Sequence, residues 1–278
     1  MSNNPLRQYF RQPSIYIRLP SGGRFYPDGC LEMPANQEIP VYPMTAVDEI
    51  TYRTPDALFN GTATVNVIKS CIPNIKDPWQ IPAMDVDTIL VAIRIASFGH
   101  TMEISTQCPA CKEDTEYGLD LRTVLDQLKS PDYSTSVQHG DLEIFFKPMN
   151  YKNLNDNNLS QFEEQKVLQL LPDATVSETN KMSALSAALK NLTDITVRAL
   201  AQSISSVRTP GALVVEPEYI LEMLNNCDRK LFNKIRDHII DIKSLAEIKP
   251  IHLECPHCKN KYEQPFSLDM SSFFEAAS

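Results

Sequence analysis

Apolar and polar residues alternate early in the chain, with Ile15, Ile17 and Leu19 on one side and Tyr16 and Arg18 on the other. A period of two predicts a half-buried strand, running into Pro20-Ser21-Gly22-Gly23, where a hairpin or sharp turn precedes Arg24-Phe25-Tyr26. Glu38 to Pro43 reads as an extended edge, because proline cannot donate to an inner ladder. The pattern then turns helical. Thr45 with Asp48 three positions on is a near capping box, and Thr54-Pro55-Asp56 is a second helix start that Gly61 stops. A third helix covers Ala63 to Cys71, and prolines 73, 78 and 82 then bracket a rigid connector with the only tryptophan, Trp79. Between Asp85 and Phe98, Val86, Ile89, Leu90 and Ile93 share a face. Val91 and Ile95 make this segment apolar nearly all round, as a central buried helix would be, and Gly99 ends it.

Alternation returns at Met102, Ile104 and Thr106, and again at Tyr117, Leu119 and Leu121. Leu121, Val124, Leu125 and Leu128 predict a short amphipathic helix, and Leu142, Ile144 and Phe146 a strand ending at Pro148. From Asn150 to Lys249 the composition shifts to Asn, Ser, Thr, Gln, Leu and Ala and the period becomes helical. Met182, Leu185, Leu189, Leu192, Thr196, Ala199 and Ser203 form a 3-4 seam expected to pack in a local bundle until Thr209-Pro210-Gly211 stops it. Pro217 opens a further helix through Leu224, and Asp228 caps one that aligns Leu231, Ile235, Ile239 and Ile242. The predicted fold class is α+β and mostly helical. It comprises an extended N-terminal β-arm (1–44), a helical core with a first cysteine hairpin (45–149), a helical insertion (150–249), and a second cysteine hairpin with a tail (250–278).

The strongest chemical signal is a pair of C-P-x-C turns, Cys108-Pro109-Ala110-Cys111 and Cys255-Pro256-His257-Cys258, separated by 143 residues. Each lies between alternating stretches, with Ile251, Leu253, Phe266 and Leu268 as the expected arms of the second. Two such turns supply four thiolates, the ligand set of a closed tetrahedral zinc site, so the pattern predicts a split zinc ribbon. The metal would tie together the ends of the insertion. Iron is the less favoured occupant: rubredoxin-like sites use similar loops, but nothing in the chain points to electron transfer. Four cysteines leave no open position for a catalytic zinc. His257, inside the second turn, could replace a cysteine but reads better as an exposed neighbour. Cys30, Cys71 and Cys227 read as free thiols in a reducing compartment.

Charge narrows the function. The chain carries a formal net charge of −9, which disfavours phosphate and anionic membranes as partners. The first hairpin is itself acidic, with Glu103, Glu113, Asp114, Glu116 and Asp120 against Lys112 and Arg122. A nucleic-acid-binding zinc ribbon is therefore the alternative rather than the leading reading. The most apolar run, Ile89 to Ile95, is broken by Arg94 and too short to span a bilayer, and the first residues have no secretion signal. No G-x-S-x-G, Walker loop, H-E-x-x-H or dinucleotide fingerprint occurs. Asp85 and Asp87 are accounted for by the helix dipole, and the Ser21 turn is only a weak anion cradle. A non-enzymatic protein is expected.

The run from Tyr16-Ile17-Arg18-Leu19-Pro20-Ser21-Gly22-Gly23 to Pro27 resembles the opening of baseplate hub proteins of T-even-type bacteriophages. So do Val41-Tyr42-Pro43-Met44 through Gly61, Val67-Ile68-Lys69-Ser70-Cys71 and Lys76-Asp77-Pro78-Trp79. The likeness covers roughly the first 125 residues and resumes at the second cysteine turn. It implies a structural or assembly protein of a contractile tail, acting through contacts with other baseplate hub proteins. Its place would be the host cytoplasm during assembly or the virion tail baseplate. The resemblance implies no catalytic residues, and metal ligands at Cys108, Cys111, Cys255 and Cys258.

Overall fold

The computed structural model describes residues 4–52, 61–170, 178–266 and 273. They form two compact units, one of residues 1–130 with 246–278 and one of residues 131–245.

In the first unit, β1 (Ile15–Ile17) pairs antiparallel with β2 (Ile39–Val41), setting Tyr16 opposite Pro40. Both are edge strands of a two-stranded ribbon, where a missing N–H is tolerated. α1 (Ala46–Tyr52) opens on the predicted box: the Thr45 N–H and hydroxyl donate to Asp48 Oδ2, and the Asp48 N–H donates back to Thr45 Oγ1. The helix start at Thr54 lies outside the described residues. α2 (Thr62–Cys71) follows Gly61, whose φ of +74° is the left-handed region glycine enters freely. α3 (Ala83–Phe98) is the central helix: Met84 to Arg94 are buried except Asp87, and it packs on β1, β2, α2 and α4 (Leu121–Gln127). The Ser21 turn does hold an anion, but an internal one. The Ser21 N–H (2.8 Å) and hydroxyl (2.5 Å) donate to Asp85 in the first turn of α3, and the Tyr26 hydroxyl donates at 3.0 Å.

In the second unit, β5 (Val137–His139), β6 (Leu142–Phe146), β7 (Ile204–Arg208) and β8 (Leu213–Val214) form an antiparallel sheet in that order. Four helices accompany it among the described residues: α5 (Tyr151–Leu170), α6 (Glu178–Gln202), α7 (Pro217–Asn226) and α8 (Arg229–Ser244). Ile144, Phe146, Ile204, Val207, Ile220 and Ile235 are central to its core. The Asp228 side chain caps α8 by accepting from the Leu231 N–H, and all four residues predicted on its apolar face are buried.

Two features of this unit depart from the helical insertion expected at 150–249. First, α6 stops at Gln202 and the chain enters β7; Thr209-Pro210-Gly211 turns the β7–β8 hairpin, closed by the Thr209 N–H donating to the Ala212 carbonyl. The strand is disguised by a bulge. Phe146 faces Ile204 while Phe145 faces Ser206, so Ser205 is an extra residue, and Ile204 and Val207 reach the core three positions apart rather than two. Because β5 and β6 belong to this sheet, the unit begins at Pro131, ahead of the change in composition. Second, the upper seam of α6 is not its packing face. Met182, Leu185 and Leu189 are exposed; Ala188 and Ile195 are buried, and Asn191 donates to Glu164 of α5.

Candidate metal centre

Two hairpins build the site. β3 (Thr101–Gln107) and β4 (Asp114–Asp120) pair antiparallel over their full lengths, from Thr101 opposite Asp120 to Gln107 opposite Asp114. β9 (Ile251–Glu254) and β10 (Lys261–Gln264) pair likewise. The second arm thus carries Tyr262 and Gln264 where Phe266 and Leu268 were expected. Phe266 follows the strand, and Leu268 lies outside the described residues.

The tips of the two hairpins are built alike. In the first, the Cys108 N–H donates to the Glu113 carbonyl and the Lys112 N–H to the Cys108 carbonyl. In the second, Cys255 N–H to Asn260 and Lys259 N–H to Cys255 repeat both bonds. Lys112 and Lys259 adopt φ of +63° and +59°. A non-glycine residue there is strained by roughly 1–2 kcal/mol, and the same residue type occupies the same place in both tips. The repeated unit is therefore C-P-x-C-K. Sequence reasoning stopped at the second cysteine, although the shared lysine was visible in the chain.

The four thiols meet. Cys108 Sγ lies 3.7 Å from Cys258 Sγ, and Cys111 Sγ lies 3.7 Å from Cys255 Sγ. All four sulfurs fall within 4.8 Å of one another. A disulfide needs about 2.05 Å, so no pair is bonded. A tetrahedron with zinc–sulfur bonds of about 2.3 Å has edges of about 3.8 Å. The donor set therefore fits a tetrahedral dication. His257 is exposed and is not part of the cluster.

Backbone amides act on two of the sulfurs, with opposite net results. The Cys111 N–H, with that of Ala110, brings the Cys108 thiol down to about 6 against the opposing effect of burial. At Cys111 the Glu113 N–H favours the thiolate, but burial and three neighbouring sulfurs outweigh it and push the thiol up to about 12. The crowding of sulfurs that raises Cys111 is the kind that a bound cation would relieve. Cys108 and Cys255 are buried, Cys111 is half-buried and Cys258 exposed.

A hydroxyl chain joins the hairpins beside the sulfurs. Tyr262 donates to the Tyr117 hydroxyl (3.3 Å), Tyr117 donates to the Glu254 carbonyl (3.3 Å), and Thr106 Oγ1 lies 2.6 Å from Tyr262. The hydrogen bond shared with Tyr262, reinforced by burial, pushes the Tyr117 phenol up to about 12.

The first unit is thus a helix-centred domain with a four-thiol clasp drawn from distant parts of the chain. A family model described as "T4 bacteriophage base plate protein" matches residues 18–275. The match takes in both cysteine turns and nearly the whole chain, and the protein belongs to that family of T4-type bacteriophage baseplate structural proteins. Neither the curated proteins nor the solved structures compared with it gave a match. No helix among the described residues is long and apolar enough to cross a membrane.

Proposed function

We propose that the protein is a structural or assembly component of the central hub of a contractile-tail baseplate, acting through contacts with other hub proteins. One structural zinc per chain would be held by Cys108, Cys111, Cys255 and Cys258. The observation that carries the reading is the family match together with the four sulfurs of one closed cluster. When bound, zinc supplies two positive charges and four directional bonds; its job here is to fasten the hairpins and so bring residue 108 to residue 258. The domain reading follows from this: the second unit, residues 131–245, is a module carried between the two halves of a clasp. Loop closure grows only as about (3/2)RT ln n, so a long insert adds little cost. Structural zinc contributes on the order of 10–16 kcal/mol in small peptides.

Co-expression with the neighbouring hub proteins tests the functional part. A stable complex is expected, and a chain that stays free with every hub partner would overturn it. Metal analysis of protein purified under reducing conditions tests the clasp. About one zinc per chain is expected, falling to near zero in Cys108→Ser and Cys255→Ser; protein isolated without zinc would remove the clasp from the proposal.

A further inference from the structure

The sheet of the second unit has two edges, and they are treated differently. At β5 the hairpin register sends the Gln138 N–H and carbonyl away from β6. Lys234, from α8, donates its ammonium to that outward carbonyl, and α8 packs along the strand. This edge is covered. At β8 the bond from the Thr209 N–H to the Ala212 carbonyl fixes the register, with Arg208 opposite Leu213 and Val207 opposite Val214. Leu213 therefore turns its N–H and carbonyl outward, and no described residue bonds to either. Two residues on, the Val215 N–H is held at 3.1 Å by the side chain of its neighbour Glu216, an exposed stopgap.

Edges left open in soluble proteins are usually defended by charge, proline or brevity. β8 is short, but its side chains do not defend it. Leu213 is 56% exposed, Val215 53% and Tyr219, in the first turn of α7, 61%. Beside them lies a groove of about 300 Å³. Its floor is Ile204, Ile220 and Leu221; on its walls stand Lys147 and Arg198, with Glu218 as the only acidic side chain. Neither Lys147 nor Arg198 has an ion-pair partner among the described residues, and both are exposed. Cation-bearing walls over an apolar floor, next to an unpaired strand, are complementary to one kind of ligand: an extended peptide with alternating apolar and acidic residues.

We propose that the β8 edge and its groove are a docking site for an extended acidic segment of a partner protein. The segment adds as a fifth strand next to Leu213, placing a carboxylate between Lys147 and Arg198. This deepens the reading that the chain works through protein contacts, and it rests on that reading only for the partner's biological identity. The test uses the isolated full chain, so its failure leaves hub complex formation untouched.

The probe is an N-acetylated hexapeptide alternating valine and glutamate, titrated into the isotope-labelled protein while backbone amides are followed by NMR. Shifts centred on Leu213, Val214 and Val215 are expected, with affinity about tenfold above that of the valine–lysine counterpart, the sum of two modest charge pairs. Lys147→Glu combined with Arg198→Glu should reverse that preference. Leu213→Pro removes the outward N–H and the leucine side chain without touching a bond to β7, and should abolish the shifts. Equal binding of both peptides, or no shifts at β8, overturns the proposal. So does a concentration-dependent dimer that Leu213→Pro dissolves, which would make the occupant a second copy of this chain.

Discussion

The Tyr262 hydroxyl sits 2.6 Å from Thr106 Oγ1, although 156 residues separate them in the chain. The contact crosses from one cysteine hairpin to the other, so the hairpins are aligned by hydroxyls as well as by sulfurs. Tyr262→Phe removes the middle of the chain from Thr106 to the Glu254 carbonyl and leaves every thiol in place. It should destabilise the first unit by about 1 kcal/mol, the net worth of an ordinary hydrogen bond, without lowering metal content. Chemical denaturation with parallel metal analysis measures both; a loss of metal would show that the hydroxyls build the site rather than align it.

Removing metal should act locally. The second unit contains none of the four clustered thiols, and its core rests on Ile144, Phe146, Ile204 and Ile235. A chelator should speed amide exchange in β3, β4, β9 and β10 by at least about tenfold, while α8 and β6 keep their protection. Uniform loss of protection would contradict a clasp confined to the hairpins.

Asp85 makes stability depend on acidity in an unusual direction. Burial pushes its carboxyl up from 3.8 to about 6, against the favourable bonds from Ser21 and Tyr26. Burial and the nearby carboxylate hold the Tyr26 phenol far above its ordinary range, so it remains a donor. Between pH 4 and 6 the folded chain holds a proton on Asp85 that the unfolded chain has released. This contribution to stability is therefore present below pH 4 and lost as pH rises towards 6, on the order of 3 kcal/mol. Asp85→Asn cannot titrate. Plotted against pH, the stability of the native protein minus that of Asp85→Asn should fall across this window; a flat difference would rule the carboxyl out as the source.

Arg11 fastens the N-terminal arm. One guanidinium nitrogen donates to the Pro43 carbonyl and pairs with Asp48 at 3.4 Å, and the other donates to the Ser70 carbonyl (2.7 Å) and hydroxyl (2.8 Å). A lysine carries the charge but not the fork. Arg11→Lys should cost about 1–2 kcal/mol and expose the arm to limited proteolysis near Tyr9 and Phe10. An unchanged digestion pattern would mean that the arm is secured elsewhere.

How much of this was legible in the chain depended on whether the signal was local. The Thr45–Asp48 box, the Asp228 cap and the apolar wrap of α3 need only residues within one element, and each appears in the structure. Long-range pairings were hidden. Ser21 and Asp85 each had a sufficient local explanation, as turn and as helix-dipole residue, and only the fold brings them together. β7 was concealed because its bulge turned a period of two into a spacing of three, which continues a helical seam. The apolar stripe of α6 gave the period of the helix but not which face is covered, since the buried positions include the small Ala188. The cysteine turns announced themselves by spacing; the lysine that follows each gained meaning only once its backbone was seen to be left-handed.

The split of the clasp also fixes an order of events during synthesis. Cys111 leaves the ribosome 144 residues before Cys255, a delay of roughly 7 to 30 s at ordinary elongation rates. Until then the first hairpin is a two-thiolate half-site, and the whole of residues 131–245 has time to fold as a tethered loop. Completion of the four-thiol cluster is thus a late event that reports on the chain already made. A product truncated before Cys255 would hold only the first pair of thiols, so its half-site would never close.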